Sequence, residues 1–215
     1  MVDRTQLAAD ERRDLADFLD TLTTEQWSRP SLCERWTVRD VVAHLISYEE
    51  LGWLGLTGAF VRGGFGPGRV NALRLRAYRN YPPDDLVQIL RDHLKPRGLT
   101  AGFGGGIGLT DSLIHQQDIR RAIGIAREVP GDRLVEALDI SLRAPILPSK
   151  KNAAGLQLAP DDLDWRHGEG PQLTGPGEAV LMACAGRADA LADLDGPGLE
   201  TLRARVTGVA LMSGL

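Results

Sequence analysis

Hydrophobic positions recur at helical spacing along most of the first 145 residues. Leu7, Leu15, Phe18, Leu19 and Leu22 fall at spacings that predict an amphipathic helix over residues 4–22. The stretch TEQWSRPSLCERW breaks that period and, with Pro30, reads as a loop. Thr37 and Asp40 form a capping pair for the next helix, whose stripe is Val38, Val41, Val42, Leu45 and Ile46 and runs on through Leu51, Trp53 and Leu54. VRGGFGPGR is a loop, residues 69–80 read as helical, and Pro82-Pro83 stops them. Residues 84–95 place Leu86, Ile89, Leu90 and Leu94 on one side of a further helix. The glycine-rich GFGGGIG, residues 102–108, precedes a helix that carries DSLIHQQD, and residues 132–143 make one more. Successive helices with short connections favour an up-down bundle.

The pattern changes near residue 145. PILPSKKNAAG has two prolines, two lysines and a glycine and reads as a linker or edge. Beyond it LQLAP, LDWRHG and PQLTG look like short strands joined by tight turns, EAVLMACAG like a helix, and LETLRARV like a helix or a strand-like end. The expected architecture is α+β: a helical bundle over residues 1–145 and a small α+β domain over residues 153–215. A unit of some 60 residues has barely enough chain for a core of its own.

Charge narrows the function classes. The net charge is −4, with no basic surplus or Lys/Arg block, which argues against nucleic acid and against an anionic membrane as partners. No apolar run reaches bilayer-spanning length, and MVDRTQLAADERRD lacks the apolar core of a signal peptide. Cys33 and Cys184 lie far apart with no CxxC motif, which fits a reducing cytoplasm.

The candidate chemistry sits in DSLIHQQD. On a helix, Asp111, His115 and Asp118 share a narrow arc bordered by Ile114 and Ile119, so the polar stripe faces inward and needs partners. Asp111 and His115, one turn apart, can grip one ion from a single helix. With His44 they make two imidazoles and a carboxylate, a three-ligand set with an open position; zinc comes first, and nickel, iron or cobalt accept the same donors. Asp118 is a fourth ligand or holds His115 in its tautomer. The rival readings are that Asp111 caps its helix and that His44 is a rim-of-core histidine. His93 reads as solvated, and His167 as a residue beside a turn. GFGGGIG lacks phosphate-loop spacing and reads as a connection. Arg120 and Arg121 point away from the Asp/His face and read as solvated. Cys33 offers a protein thiolate, although packing is the reading preferred for it; Trp27, Trp36 and Trp165 read as core anchors. Asp40 reads as a first-turn helix acid.

The run WSRPSLCERWTVRDVVAHL, residues 27–45, resembles the signature of the mycothiol-dependent maleylpyruvate isomerase family, within the DinB-like superfamily of metal-binding four-helix bundles. DSLIHQQDIRRAIG is similar to the family's second block, and LAPDDLDWRHGEGPQLTGPGEAVLMACAGR to its small C-terminal domain. The resemblance implies metal ligation by His44, Asp111 and His115, with aspartate where the characterised isomerase has glutamate. It also implies that a small-molecule thiol, mycothiol, binds at the open metal position as a thiolate and adds to a small electrophile. Elimination after rotation would give isomerisation, and retention of the adduct an S-transferase. The alternative is a non-enzymatic metal-binding or small-ligand-binding protein; loose similarity of the tail to sterol-carrier-like folds adds a carrier of an apolar ligand.

Overall fold

The computed structural model describes residues 2–47, 75–78 and 80–212. Among the described residues the helices include α1 (Arg4–Leu19), α2 (Thr24–Trp27), α3 (Val38–Ser47), α4 (Pro83–Asp92), α5 (Gly106–Ile123), α6 (Gly131–Arg143), α7 (Ser149–Ala153), α8 (Gly177–Cys184) and α9 (Leu199–Met212). Two-residue strands β1 (Gln157–Leu158) and β2 (Gln172–Leu173) pair in parallel. The fold is α+β, a helical bundle followed by a small α+β part, as the periodicity predicts. The chain divides into two compact units, Met1–Arg127 and Glu128–Leu215. The expected boundary near residue 145 therefore falls inside the second unit, because α6 packs on α7 and α8.

In the first unit, α1, α3, α4 and α5 enclose a core of Leu15, Leu19, Val41, Ile46, Leu86, Leu90 and Ile119. Removing such side chains from water is the main stabilising term, at about 25 cal/mol per Å² of apolar surface. Among the described residues α1 packs most extensively against α5. Glycine makes this approach possible. Gly105 has φ +91°, and a Cβ there would lie 2.8 Å from the Thr5 Cα; a Cβ on Gly108 would lie 2.8 Å from the Pro96 ring. GFGGGIG is thus a close-packing device whose last three residues already belong to α5. Polar groups reinforce the pair. The buried Arg12 donates to Ser112 Oγ (3.2 Å) and to the His93 carbonyl (2.9 Å), and the buried Glu11 pairs with Arg127.

Several local expectations change. The loop after α1 contains α2, whose start is closed by a reciprocal Thr23–Gln26 capping box. α1 ends at Leu19 and α4 at Asp92, earlier than their periodicity suggests. His93 is half-buried at the end of α4, its Nδ1 2.8 Å from the Ile89 carbonyl, so it is not merely solvated. The loop expected at residues 61–69, the extension of the α3 stripe to Leu51, Trp53 and Leu54, and most of the helix expected over 69–80 lie outside the described residues.

The second unit buries Leu134, Leu138, Leu156, Leu158, Leu173, Val180, Leu181 and Leu202. The stretch read as a linker contains α7, and LETLRARV lies in helix α9. Of the three expected strands, two form β1 and β2, while the WRHG segment contributes a single antiparallel bridge, His167 to Leu158. Burial pushes the Cys184 thiol up to about 12, which keeps it protonated and inert. Among the described residues no helix is long and apolar enough to cross a membrane.

Candidate functional site

Two distant stretches of chain meet at His115. The first is the loop before α3. It closes on itself through the Pro30–Thr37 bridge, the Ser31 amide and hydroxyl on the Trp36 carbonyl (both 2.9 Å) and Arg35 at φ +66°. The Leu32 amide then donates to the Asp118 carbonyl at 3.1 Å, which ties the loop to α5. At its end Thr37 and Asp40 form the expected capping box: Asp40 Oδ2 accepts from the Thr37 amide (2.9 Å) and hydroxyl (2.7 Å), and the Asp40 amide donates to Thr37 Oγ1 (3.3 Å). α3 therefore starts in a fixed direction and carries His44 one turn beyond Asp40, half-buried beside Trp36, with ring centroids 4.9 Å apart.

The second stretch is α5. It begins at Gly106 with Gly105 as its N-cap, so Asp111 lies in the second turn and does not cap the helix. This removes one of the two readings open for Asp111. His115 faces His44 edge-on, with ring centroids 5.0 Å apart. Its Nε2 lies 3.5 Å from Asp111 Oδ1, and its Nδ1 2.9 Å from Asp118 Oδ2. Asp118 is fully buried, whereas the Asp111 side chain keeps 29% of its surface exposed. The three residues thus share the arc that the spacing predicts, but they meet opposite edges of one imidazole.

Ionised, Asp118 can only accept, so Nδ1 of His115 donates to it. Cys33 Sγ donates to the same carboxylate oxygen at 3.0 Å and lies 3.5 Å from Nδ1. Burial acts to lower the basicity of His115. The hydrogen bonds to Asp118 and Cys33, with the fields of Asp111 and Cys33, outweigh it and raise the pKa from 6.5 to about 10. A buried carboxylate behind one nitrogen leaves the other directed at Asp111 and His44.

The donor atoms of His44, Asp111 and His115 all lie within 4.8 Å of one another, and those of Cys33, His115 and Asp118 do the same. The first set combines two imidazole nitrogens with a partly exposed carboxylate, which suits a divalent ion such as zinc and leaves room for an outside ligand. The second set uses the other nitrogen of His115 and is more enclosed.

Cys33 and Trp36 therefore lie against the His115 cluster as well as packing in their loop; the ring centroid of Trp36 is 6.4 Å from that of His115. Periodicity carries no signal for either, because both sit in the aperiodic SLCERW turn. Arg120, expected to be solvated, is half-buried with its guanidinium 3.6 Å from the centroid of the Phe18 ring, and burial followed by the charge of Arg127 lowers its pKa to about 10. Trp27 is a core residue, as expected.

Fold and site define a helical-bundle protein with an internal imidazole–carboxylate centre. Residues 8–97 match the family model described as the mycothiol maleylpyruvate isomerase N-terminal domain. The match includes His44 and stops before α5. Two solved structures share the fold. A crystal structure of the mycothiol-dependent maleylpyruvate isomerase is 14% identical, with a TM-score of 0.53. That of a histidine-to-alanine mutant is 16% identical, with a TM-score of 0.59. Each comparison covers 90% of this chain and 91% of the other. No curated protein matches the sequence.

Proposed function

We propose that His44, Asp111 and His115 hold a divalent metal ion, zinc first and nickel, iron or cobalt next. On this reading the protein is a thiol-dependent isomerase or S-transferase acting on a small electrophile, with mycothiol as the thiol. The observation that carries it is the convergence, within 4.8 Å, of donor atoms from helices whose site residues are some 70 positions apart, with a buried carboxylate on the far nitrogen of the central histidine. A bound ion would supply charge stabilisation of a thiolate at neutral pH. The chain's own part is to aim the donors. Asp118 fixes the tautomer and ring plane of His115, as carboxylates behind ligating histidines do, and Cys33 holds Asp118. Trp36 walls the His44 side. Asp111, shorter than the glutamate of the characterised isomerase, approaches His115 from the exposed side.

Elemental analysis of the purified protein beside its His44→Ala and His115→Ala variants tests the reading. About one transition metal per chain, lost in both variants, is expected; metal retained by His44→Ala, or absent after reconstitution with zinc and nickel, would overturn it. The second donor set favours another reading, a structural ion on Cys33, His115 and Asp118. Cys33→Ser separates the two: it spares metal content in the first and abolishes it in the second, while Asp111→Asn does the reverse.

A further inference from the structure

The second unit contains a cavity of about 420 Å³ bounded by the end of α6, α7 and the turn after the His167–Leu158 bridge. Its size is that of a small-molecule pocket. Leu142, Ala153 and Leu156 give it an apolar wall. Arg143 and Lys150, both exposed, stand on its rim, and His167 also lines it. Neither Arg143 nor Lys150 has an ion-pair partner among the described residues. The one lining carboxylate, Asp139, is engaged: its Oδ1 accepts from Trp165 Nε1 at 3.0 Å.

Backbone contacts brace the walls. His167 exchanges both backbone hydrogen bonds with Leu158 (2.8 and 3.0 Å), and its ring stacks on Trp165 at an interplanar angle of 12°. Gly168, at φ +76°, passes so close to the Leu156 carbonyl that a Cβ would lie 2.3 Å from that oxygen. On the other side Arg205 donates to the carbonyls of Asn152 and Ala154, both at 2.7 Å, and so pins the end of α7. A pocket with a rigid frame, an apolar floor and two unpaired cations at the rim selects a particular ligand chemistry. An apolar body enters, and a single negative head stays at the mouth, where a bidentate guanidinium and an ammonium meet it.

We infer that this cavity binds a small organic carboxylate with a short apolar body, held at its head by Arg143 and Lys150. The inference concerns the second unit alone and does not depend on an ion in the first. It is tested on the full chain by isothermal titration calorimetry with octanoate as the probe and 1-octanol as its neutral counterpart. Saturable binding of octanoate is expected, with 1-octanol at least about tenfold weaker because it lacks the charge. Arg143→Ala and Lys150→Ala should each weaken octanoate by about three- to fivefold, the range of a partly exposed charge pair. Arg13→Ala, an exposed arginine in the first unit, should leave it unchanged. Arg143 and Lys150 are exposed, so both variants are expected to fold. Absence of octanoate binding, equal binding of 1-octanol, or unchanged affinity in the Arg143→Ala/Lys150→Ala double variant would each overturn the inference.

Discussion

The His115 cluster and the cavity of the second unit solve the same problem, holding polar groups in place, by opposite means. In the cluster, side chains hold side chains. Asp118, His115 and Cys33 satisfy one another, with one backbone bond, Leu32 to the Asp118 carbonyl, bringing the Cys33 loop to α5. Around the cavity the backbone does the holding, through the paired Leu158 and His167, the close pass of Gly168 and the Arg205 bonds to two carbonyls, and the charged groups stay exposed. The cluster should therefore be sensitive to the chemistry of its side chains, and the cavity to the shape of its main chain.

The largest expected effect is on the cluster. Asp118→Ala removes the partner of a buried, protonated imidazole and should cost about 3 kcal/mol in the chelator-treated protein, read from the denaturant midpoint. The pH dependence gives the same contrast. The folded-state pKa of His115 lies above its unfolded value, so the pair's stabilisation is fully present below about 6.5 and is lost as pH rises through about 10. This decline should shrink markedly in Asp118→Ala, because Cys33 and Asp111 act on His115 as well; an unchanged decline would assign it to other groups. Next comes the cavity frame. Gly168→Ala forces a Cβ against the Leu156 carbonyl at positive φ and should cost about 2 kcal/mol, without altering metal content. A Gly168→Ala protein as stable as the parent would dissolve the contrast. The smallest effect is Trp165→Phe, about 1 kcal/mol from the lost bond to Asp139, measured by thermal unfolding.

Much of this arrangement was legible in the sequence. Helical spacing locates α1, α3, α5, α6 and α8 because their apolar stripes are what the cores bury. The i, i+4, i+7 spacing of Asp111, His115 and Asp118 puts them on one face, because backbone geometry alone fixes that relation. The start of α5 was not legible: its glycines look like breakers locally, and only the packed chain shows that a Cβ on Gly105 would meet Thr5 of α1 and one on Gly108 the Pro96 ring. Cys33 was equally hidden, since its place depends on a loop closed by Ser31 and then docked on the Asp118 carbonyl. The unit boundary also follows from packing: nothing in the composition around residue 127 marks α6 as a partner of α7 and α8.

The pairing of α1 with α5 also bears on how the protein is made. Residues of α1 meet their counterparts in α5 about a hundred positions later, as Arg12 does with Ser112. At roughly 5–20 residues per second, a ribosome would take some 5–20 seconds to deliver that partner. During this interval the apolar face of α1 has α3 and α4 nearby in the nascent chain but not the helix it packs against most extensively. The first unit can close only when its last helix emerges, and the His115 cluster is completed in that same closing step.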